Sequence, residues 1–143
     1  MKKIGIVGNG FVGSAIAHGF GLHSEIKIYD SLPEKSENTL EEVINESEFI
    51  FIGVPTPMTG IKGGHLDLQI MDSVFESMNE IWKRDNDPVF IIKSTVVPGS
   101  VEKYQEKYPD MRIVFNPEFL TERSARLDFI NWADLVSVFI ILV

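Results

Sequence analysis

Six residues near the amino terminus, Gly8-Asn9-Gly10-Phe11-Val12-Gly13, place three glycines at the spacing that lets a backbone close on a phosphate. A phosphate reaches main-chain N–H groups only where no side chain stands in the way. On this reading Gly8 permits the tight turn, Gly10 lets a pyrophosphate approach, and Gly13 lets a following helix pack closely on the preceding strand. Roughly twenty residues further on stands Asp30, where a carboxylate accepts hydrogen bonds from a ribose 2′-hydroxyl. That carboxylate repels a 2′-phosphate, and no arginine follows it to reverse the preference, so the pattern favours NAD over NADP. Lys35 is placed either to reach the same ribose or to remain a solvated surface lysine.

Further along, Ser94 and Thr95 bring two hydroxyls to the end of an apolar run, and Glu118 and Glu122 stand four apart. On one helical turn both glutamates face the same way. Unlike environments would then suit one of them to act as a base, and a solvated pair is the other reading. Thr95 alone reads as a turn hydroxyl as readily as a catalyst.

These groups need elements to hold them. Lys3–Val7 reads as a strand running into the glycine loop, followed by a helix carrying Val12, Ala15, Ile16, Gly19 and Phe20 at helical spacing, then the strand 26–29. A short helix is expected from Thr39 to Asn45. Phe49–Val54 is an unbroken apolar run, as in a strand covered on both faces, and Pro55-Thr56-Pro57 ends it. Gly60 to His65 reads as a flexible loop. Asp67 is placed to cap a helix whose Leu68, Met71, Val74, Phe75, Met78, Ile81 and Trp82 form one core stripe. The strand 89–92, a turn at Pro98-Gly99, a helix from Ser100 to Tyr108 and the strand 112–115 follow. Asn116-Pro117 suits a helix start, and Leu135–Val143 a last strand. Alternation of this kind predicts a single α/β domain of Rossmann type, a doubly wound, mainly parallel sheet with helices on both faces. The glycine loop, Asp30, Pro55–Pro57, Ser94-Thr95 and the stretch from Asn116 to Glu122 then converge on the carboxyl edge, where such sheets bind ligands.

Composition narrows the partners. The chain has 143 residues, 44% of them hydrophobic and 24% charged, which suits one domain. Its formal net charge of −8 is concentrated between Glu25 and Glu48, where eight acids face only Lys27 and Lys35. Such a solvated acidic stretch argues against nucleic acid or an anionic membrane as partner. No cysteine is present, so neither a disulfide nor a thiolate nucleophile is available within these residues. His18, His23 and His65 lack metal-ligand spacing, and no metal is expected. The start lacks the pattern of a signal peptide, and no apolar run nears the roughly 18 residues of a membrane span, so a cytoplasmic protein is expected.

Three segments in this order, Val54-Pro55-Thr56-Pro57, Lys93-Ser94-Thr95-Val96-Val97-Pro98-Gly99 and Asn116-Pro117-Glu118-Phe119-Leu120, resemble the UDP-glucose/GDP-mannose dehydrogenases. The resemblance runs to about Asp128 and covers the amino-terminal NAD-binding domain of that family. Its members oxidise the 6-hydroxymethyl group of a nucleotide sugar to a carboxylate by two successive hydride transfers to NAD. The resemblance implies that Gly8, Asn9, Gly10, Phe11, Val12 and Gly13 hold the pyrophosphate, and that Asp30 and Lys35 hold the adenine ribose. By the same likeness Val54, Pro55, Thr56 and Ser94 line the cofactor. Thr95, Glu118 and Glu122 match the family's catalytic positions, the threonine and second glutamate positioning a water.

Departures from the family are also present. The cysteine, lysine and asparagine that complete its site belong to later domains not found in this sequence, which is therefore expected to be catalytically incomplete and to meet a nucleotide sugar only together with them. The stretch between the second strand and Val54 is short, which predicts the loss of one edge strand. Thr121 stands where arginine is common and Arg123 where glycine is. The apolar end Val138–Val143 is expected to mark a domain cut from a longer protein, or an early stop, and to invite pairing into a homodimer. Two other readings stay open on the residues: a standalone NAD-binding or interaction module, and a fragment of a β-hydroxyacid-type dehydrogenase.

Overall fold

Runs of β-branched residues set the frame of the fold. In the computed structural model, which describes residues 1–60 and 63–116, Lys2–Val7 (β1), Ser24–Tyr29 (β2), Phe49–Ile52 (β3), Val89–Ile92 (β6) and Arg112–Phe115 (β7) form one sheet. Its order is β2-β1-β3-β6-β7, and every pairing in it is parallel. The register puts Ile4 between Ile26 and Phe49, and Phe49 next to Val89. All four residues of β6 are buried, as is required of a central strand covered on both faces.

Among the described residues four α-helices connect the strands: Phe11–Phe20 (α1), Leu40–Glu46 (α2), Gln69–Ile81 (α3) and Ser100–Lys107 (α4). They divide the core in two. On one face Ala15 and Ile16 of α1 pack with Ile4, Ile6, Ile28, Phe51 and Ile91. On the other, Val43 and Ile44 of α2, Met71, Phe75 and Met78 of α3 and Tyr104 of α4 pack with Ile50, Ile52, Phe90 and Ile92. Successive strand residues thus serve opposite faces, and the sheet is doubly wound. The rings of Phe75 and Tyr104 stack at 4.5 Å, and the Tyr104 hydroxyl donates to Asp72 at 2.8 Å. Burial and that carboxylate push the Tyr104 phenol far above its ordinary pKa.

Local chemistry explains the boundaries. Thr39 caps α2 in a capping box: its hydroxyl accepts from the Glu42 N–H while the Glu42 carboxylate accepts from the Thr39 N–H at 2.7 Å. The strand expected from 49 to 54 stops at Ile52, although the Gly53 N–H still donates to the Val7 carbonyl at 2.9 Å. Helix α3 starts at Gln69, one residue past Leu68, although the Asp67 carboxylate still accepts the Gln69 N–H at 2.9 Å. The expected loop from Gly60 to His65 proves to be flanked by a short antiparallel hairpin, Met58–Thr59 (β4) with His65–Leu66 (β5). Thr59 and His65 also touch through their side chains, Oγ1 to Nε2, at 3.3 Å, so His65 belongs to the hairpin and not to a free loop. Two-residue strands have too few residues to show a period, which is why the sequence alone concealed them.

Among the described residues no helix is long and apolar enough to cross a membrane, and no three potential metal ligands cluster. The expected helix start at Asn116-Pro117, beyond its first residue, and the last strand from Leu135 to Val143 lie outside the described residues, as does the proposed dimer contact.

Candidate dinucleotide site

The winding of the chain reverses between β1, which pairs with β2 on one side, and β3 on the other. At that switch point the carboxyl ends of neighbouring strands diverge and leave a crevice. A cavity of about 710 Å³ opens there.

The glycine loop forms its floor. Gly8 leaves β1 at a φ of +98°, donating its N–H to the Tyr29 carbonyl at 2.9 Å, and a side chain there would strike the Gly53 carbonyl oxygen. A Cβ on Gly13 would fall on the carbonyl oxygen of Gly8, so only glycine lets α1 sit this close to the loop. Gly10 differs from both. A methyl group on it would meet no atom within 4 Å, and Gly10 lines the cavity. It is also the N-cap of α1, with no side-chain hydrogen bond to the cap and no acid in the first turn. The first N–H groups of α1 and the positive end of its dipole are therefore left for an anion.

Asp30 follows β2 on one flank. Its two carboxylate oxygens are held by backbone amides, Oδ2 by the Asn9 N–H at 2.7 Å and Oδ1 by the Leu32 N–H at 2.9 Å. Each oxygen keeps a second acceptor direction for a ribose hydroxyl. Lys35 closes a 3₁₀ turn, Pro33–Lys35, and lines the same flank with Ser31 and Leu32.

Val54, Pro55 and Thr56, which follow β3, and Ser94 and Thr95, which follow β6, make the opposite wall. The Ser94 hydroxyl donates to the Val54 carbonyl at 2.7 Å and fastens the two segments together. Beside them Lys93 is buried, and its Nζ donates to the Asn116 side chain at 2.6 Å.

The cavity thus brings together Gly8, Gly10, Phe11, Val12, Asp30, Lys35, Val54, Pro55, Thr56, Ser94 and Thr95. Asn9 and Gly13 stand behind the lining instead of in it. Glu118 and Glu122 lie outside the described residues. One part of the wall was not foreseen: Leu40 of α2 and Ile70, Ser73, Val74 and Ser77 of α3 also face the cavity. Ser73 and Ser77 interrupt the polar flank of α3 four residues apart, a small-residue spacing that could have marked the side of the helix facing a ligand.

A parallel, doubly wound sheet with a glycine cradle and an acid at its switch point is a dinucleotide-binding α/β domain. The chain belongs to the UDP-glucose/GDP-mannose dehydrogenase family, whose NAD-binding domain model matches residues 33–137. NAD is the cofactor of that domain. The matched span begins just after Asp30, so the glycine cradle rests on the geometry above. UDP-glucose 6-dehydrogenase of Streptococcus pneumoniae is 27% identical over 156 aligned positions, covering 88% of this chain and 38% of that enzyme. The chain spans less than two-fifths of the length of the curated relatives it matches. Among solved structures, NDP-N-acetyl-D-galactosaminuronic acid dehydrogenase of Methanosarcina mazei superposes with a TM-score of 0.70 at 16% identity, over 90% of this chain and 37% of that one. 3-Hydroxyisobutyrate dehydrogenase of Mycobacterium tuberculosis also reaches 0.70, at 14% identity, over 89% of this chain and 44% of that one. Equal scores for two different activities show that the fold is shared and that it does not choose between them; family membership rests on the sequence match.

Proposed function

We propose that this chain holds the NAD of a nucleotide-sugar 6-dehydrogenase, an enzyme that oxidises a sugar 6-hydroxymethyl group to a carboxylate. The observation that carries the reading is the single cavity in which the open face of Gly10, the anchored carboxylate of Asp30 and the hydroxyl of Thr95 meet. The residues fit the cofactor. Gly8 and Gly10 leave a cradle free of side chains, the bare start of α1 receives the pyrophosphate, and Asp30 with Lys35 receives the adenine ribose. Val54, Pro55, Thr56 and Ser94 wall the far half.

NAD, when bound, supplies the hydride acceptor. Thr95, exposed at the cavity mouth, would hold a water or a sugar hydroxyl by hydrogen bonding, a task that the family's pattern shares with Glu118 and Glu122. The 143 residues contain no cysteine, so a thiol that captures the aldehyde, and the groups that bind the sugar nucleotide, come from outside them. The cytoplasm, where NAD and sugar nucleotides are both present, is the proposed compartment.

Fluorescence titration with NADH and then NADPH tests this reading. Saturable NADH binding with much weaker NADPH binding is expected. Equal affinities overturn the role of Asp30, and binding of neither overturns the cavity as a cofactor site.

A further inference from the structure

The second residue of the glycine loop carries a side chain that faces away from the cavity. Asn9 Nδ2 donates to the Lys35 carbonyl at 2.8 Å, across 26 positions of sequence, while the Asn9 N–H donates to Asp30 Oδ2. One residue therefore ties the phosphate loop to both ends of the segment that recognises ribose. The rest of that segment is held from within. Asp30 N–H donates to Ser36 Oγ at 3.1 Å, Ser36 Oγ donates to the Asn38 carbonyl at 2.9 Å, and Lys35 N–H donates to the Leu32 carbonyl. Among the described residues, the hydrogen bonds that reach this segment from the glycine turn are those of Asn9; Gly8 bonds to Tyr29, one residue before it.

We infer that Asn9 is a positioning residue for cofactor discrimination: its side chain clamps the turn bearing Lys35 against the glycine loop and so keeps the Asp30 carboxylate at the ribose 2′ position. The inference rests on the NAD reading of the cavity and adds to it a role for a side chain outside the cavity lining. The physical consequence separates two dinucleotides that share every other contact. Both place a pyrophosphate on Gly10 and α1, so loosening the turn does not alter that half of binding. NADH alone draws on the carboxylate as acceptor, and NADPH alone is repelled by it. A freed turn lets the carboxylate leave the 2′ position, which weakens the first cofactor and relieves the second.

The test titrates the full chain and its Asn9→Ala and Asn9→Leu variants with NADH and with NADPH, alongside amide hydrogen exchange of the unliganded proteins. Leucine keeps the branched shape of asparagine and removes its amide donor together with the amide oxygen. The expected result is NADH affinity lower by about five-fold, the equivalent of one neutral hydrogen bond, with NADPH affinity unchanged or higher. Faster exchange at Leu32 and Lys35 should accompany it in both variants. A merely structural role would lower both affinities together; that outcome, or an unaltered ratio in folded variants, overturns the inference while the cofactor site stands. If the unmutated chain binds neither dinucleotide, the reading of the cavity fails and the role of Asn9 falls with it.

Discussion

Gly8 and Gly53 meet at the end of the sheet, where a Cβ on Gly8 would lie 2.5 Å from the Gly53 carbonyl oxygen. Their contact joins the turn after β1 to the turn after β3, and the cavity opens above that joint. The three glycines of the loop thus have separable duties: Gly8 and Gly13 let backbone meet backbone, whereas Gly10 faces empty space.

That separation makes a prediction for paired variants. Gly10→Val should leave melting nearly unchanged, since the residue sits in an extended conformation at φ −82° and a Cβ there touches nothing. It should nonetheless abolish NADH binding, because the new side chain fills the pyrophosphate cradle. Gly13→Ala should instead cost about 1–3 kcal/mol through the clash with the Gly8 carbonyl. Thermal melts and NADH titrations of both variants check the pair; a Gly10→Val protein that still binds NADH would remove the pyrophosphate from this loop.

Asp30→Ala should act on both binding and stability. Loss of a charged acceptor for ribose is expected to weaken NADH by roughly 10- to 100-fold and to shift preference toward NADPH. The Asn9 and Leu32 amides lose their partner as well, for a stability loss of about 1–2 kcal/mol. Chemical denaturation together with the two titrations measures each effect separately. An unshifted NADH-to-NADPH ratio would show that the carboxylate serves only the turn.

The capping box of α2 predicts a pH dependence. The Thr39 backbone N–H and hydroxyl hold the Glu42 carboxyl below its ordinary value of 4.5. A depressed carboxyl stabilises the fold above its unfolded-state pKa, and the contribution fades as pH falls through the folded-state value. Glu42→Gln should therefore melt below the unmutated chain at pH 7, and the gap should narrow as pH is lowered beneath 4.5. Thr39→Ala should cost about 1 kcal/mol at neutral pH. A gap that stays constant from pH 7 to pH 3 would mean that the carboxylate charge contributes nothing to the cap.

Ser94→Ala removes the bond from the hydroxyl to the Val54 carbonyl and nothing else that the structure shows. Stability should drop by about 1 kcal/mol. NADH affinity should fall by a few-fold as the walls after β3 and β6 separate. Unchanged affinity in a destabilised variant would show that those walls stay together without the tie.

Where a segment's own residues decide its structure, the sequence was legible. Val89–Ile92 and Arg112–Phe115 fall where their apolar runs place them, and the stripe from Leu68 to Trp82 faces the core as its period requires. The glycine loop and Asp30 could be read because backbone approach and charge are properties of residue types. What stayed hidden depends on elements distant in sequence. The direction of the Asn9 side chain is set by a turn 26 positions away, and Ser73 and Ser77 reach the cavity only because α3 crosses the sheet beside the segment after β3. The hairpin at Met58 escaped because two-residue strands carry no period.

That hairpin sits outside the five-stranded sheet, and its two ends are held together by the bond from the Asp67 N–H to the Pro57 carbonyl at 2.8 Å. An isolated two-stranded ribbon is marginal in water. Its termini enter and leave at nearly one point, so the main sheet does not depend on what lies between them. The segment from Met58 to Leu66 is thus a natural port for engineering: a peptide tag or a fluorescent label spliced there would report on the adjoining Val54–Thr56 wall while leaving the parallel sheet unaltered.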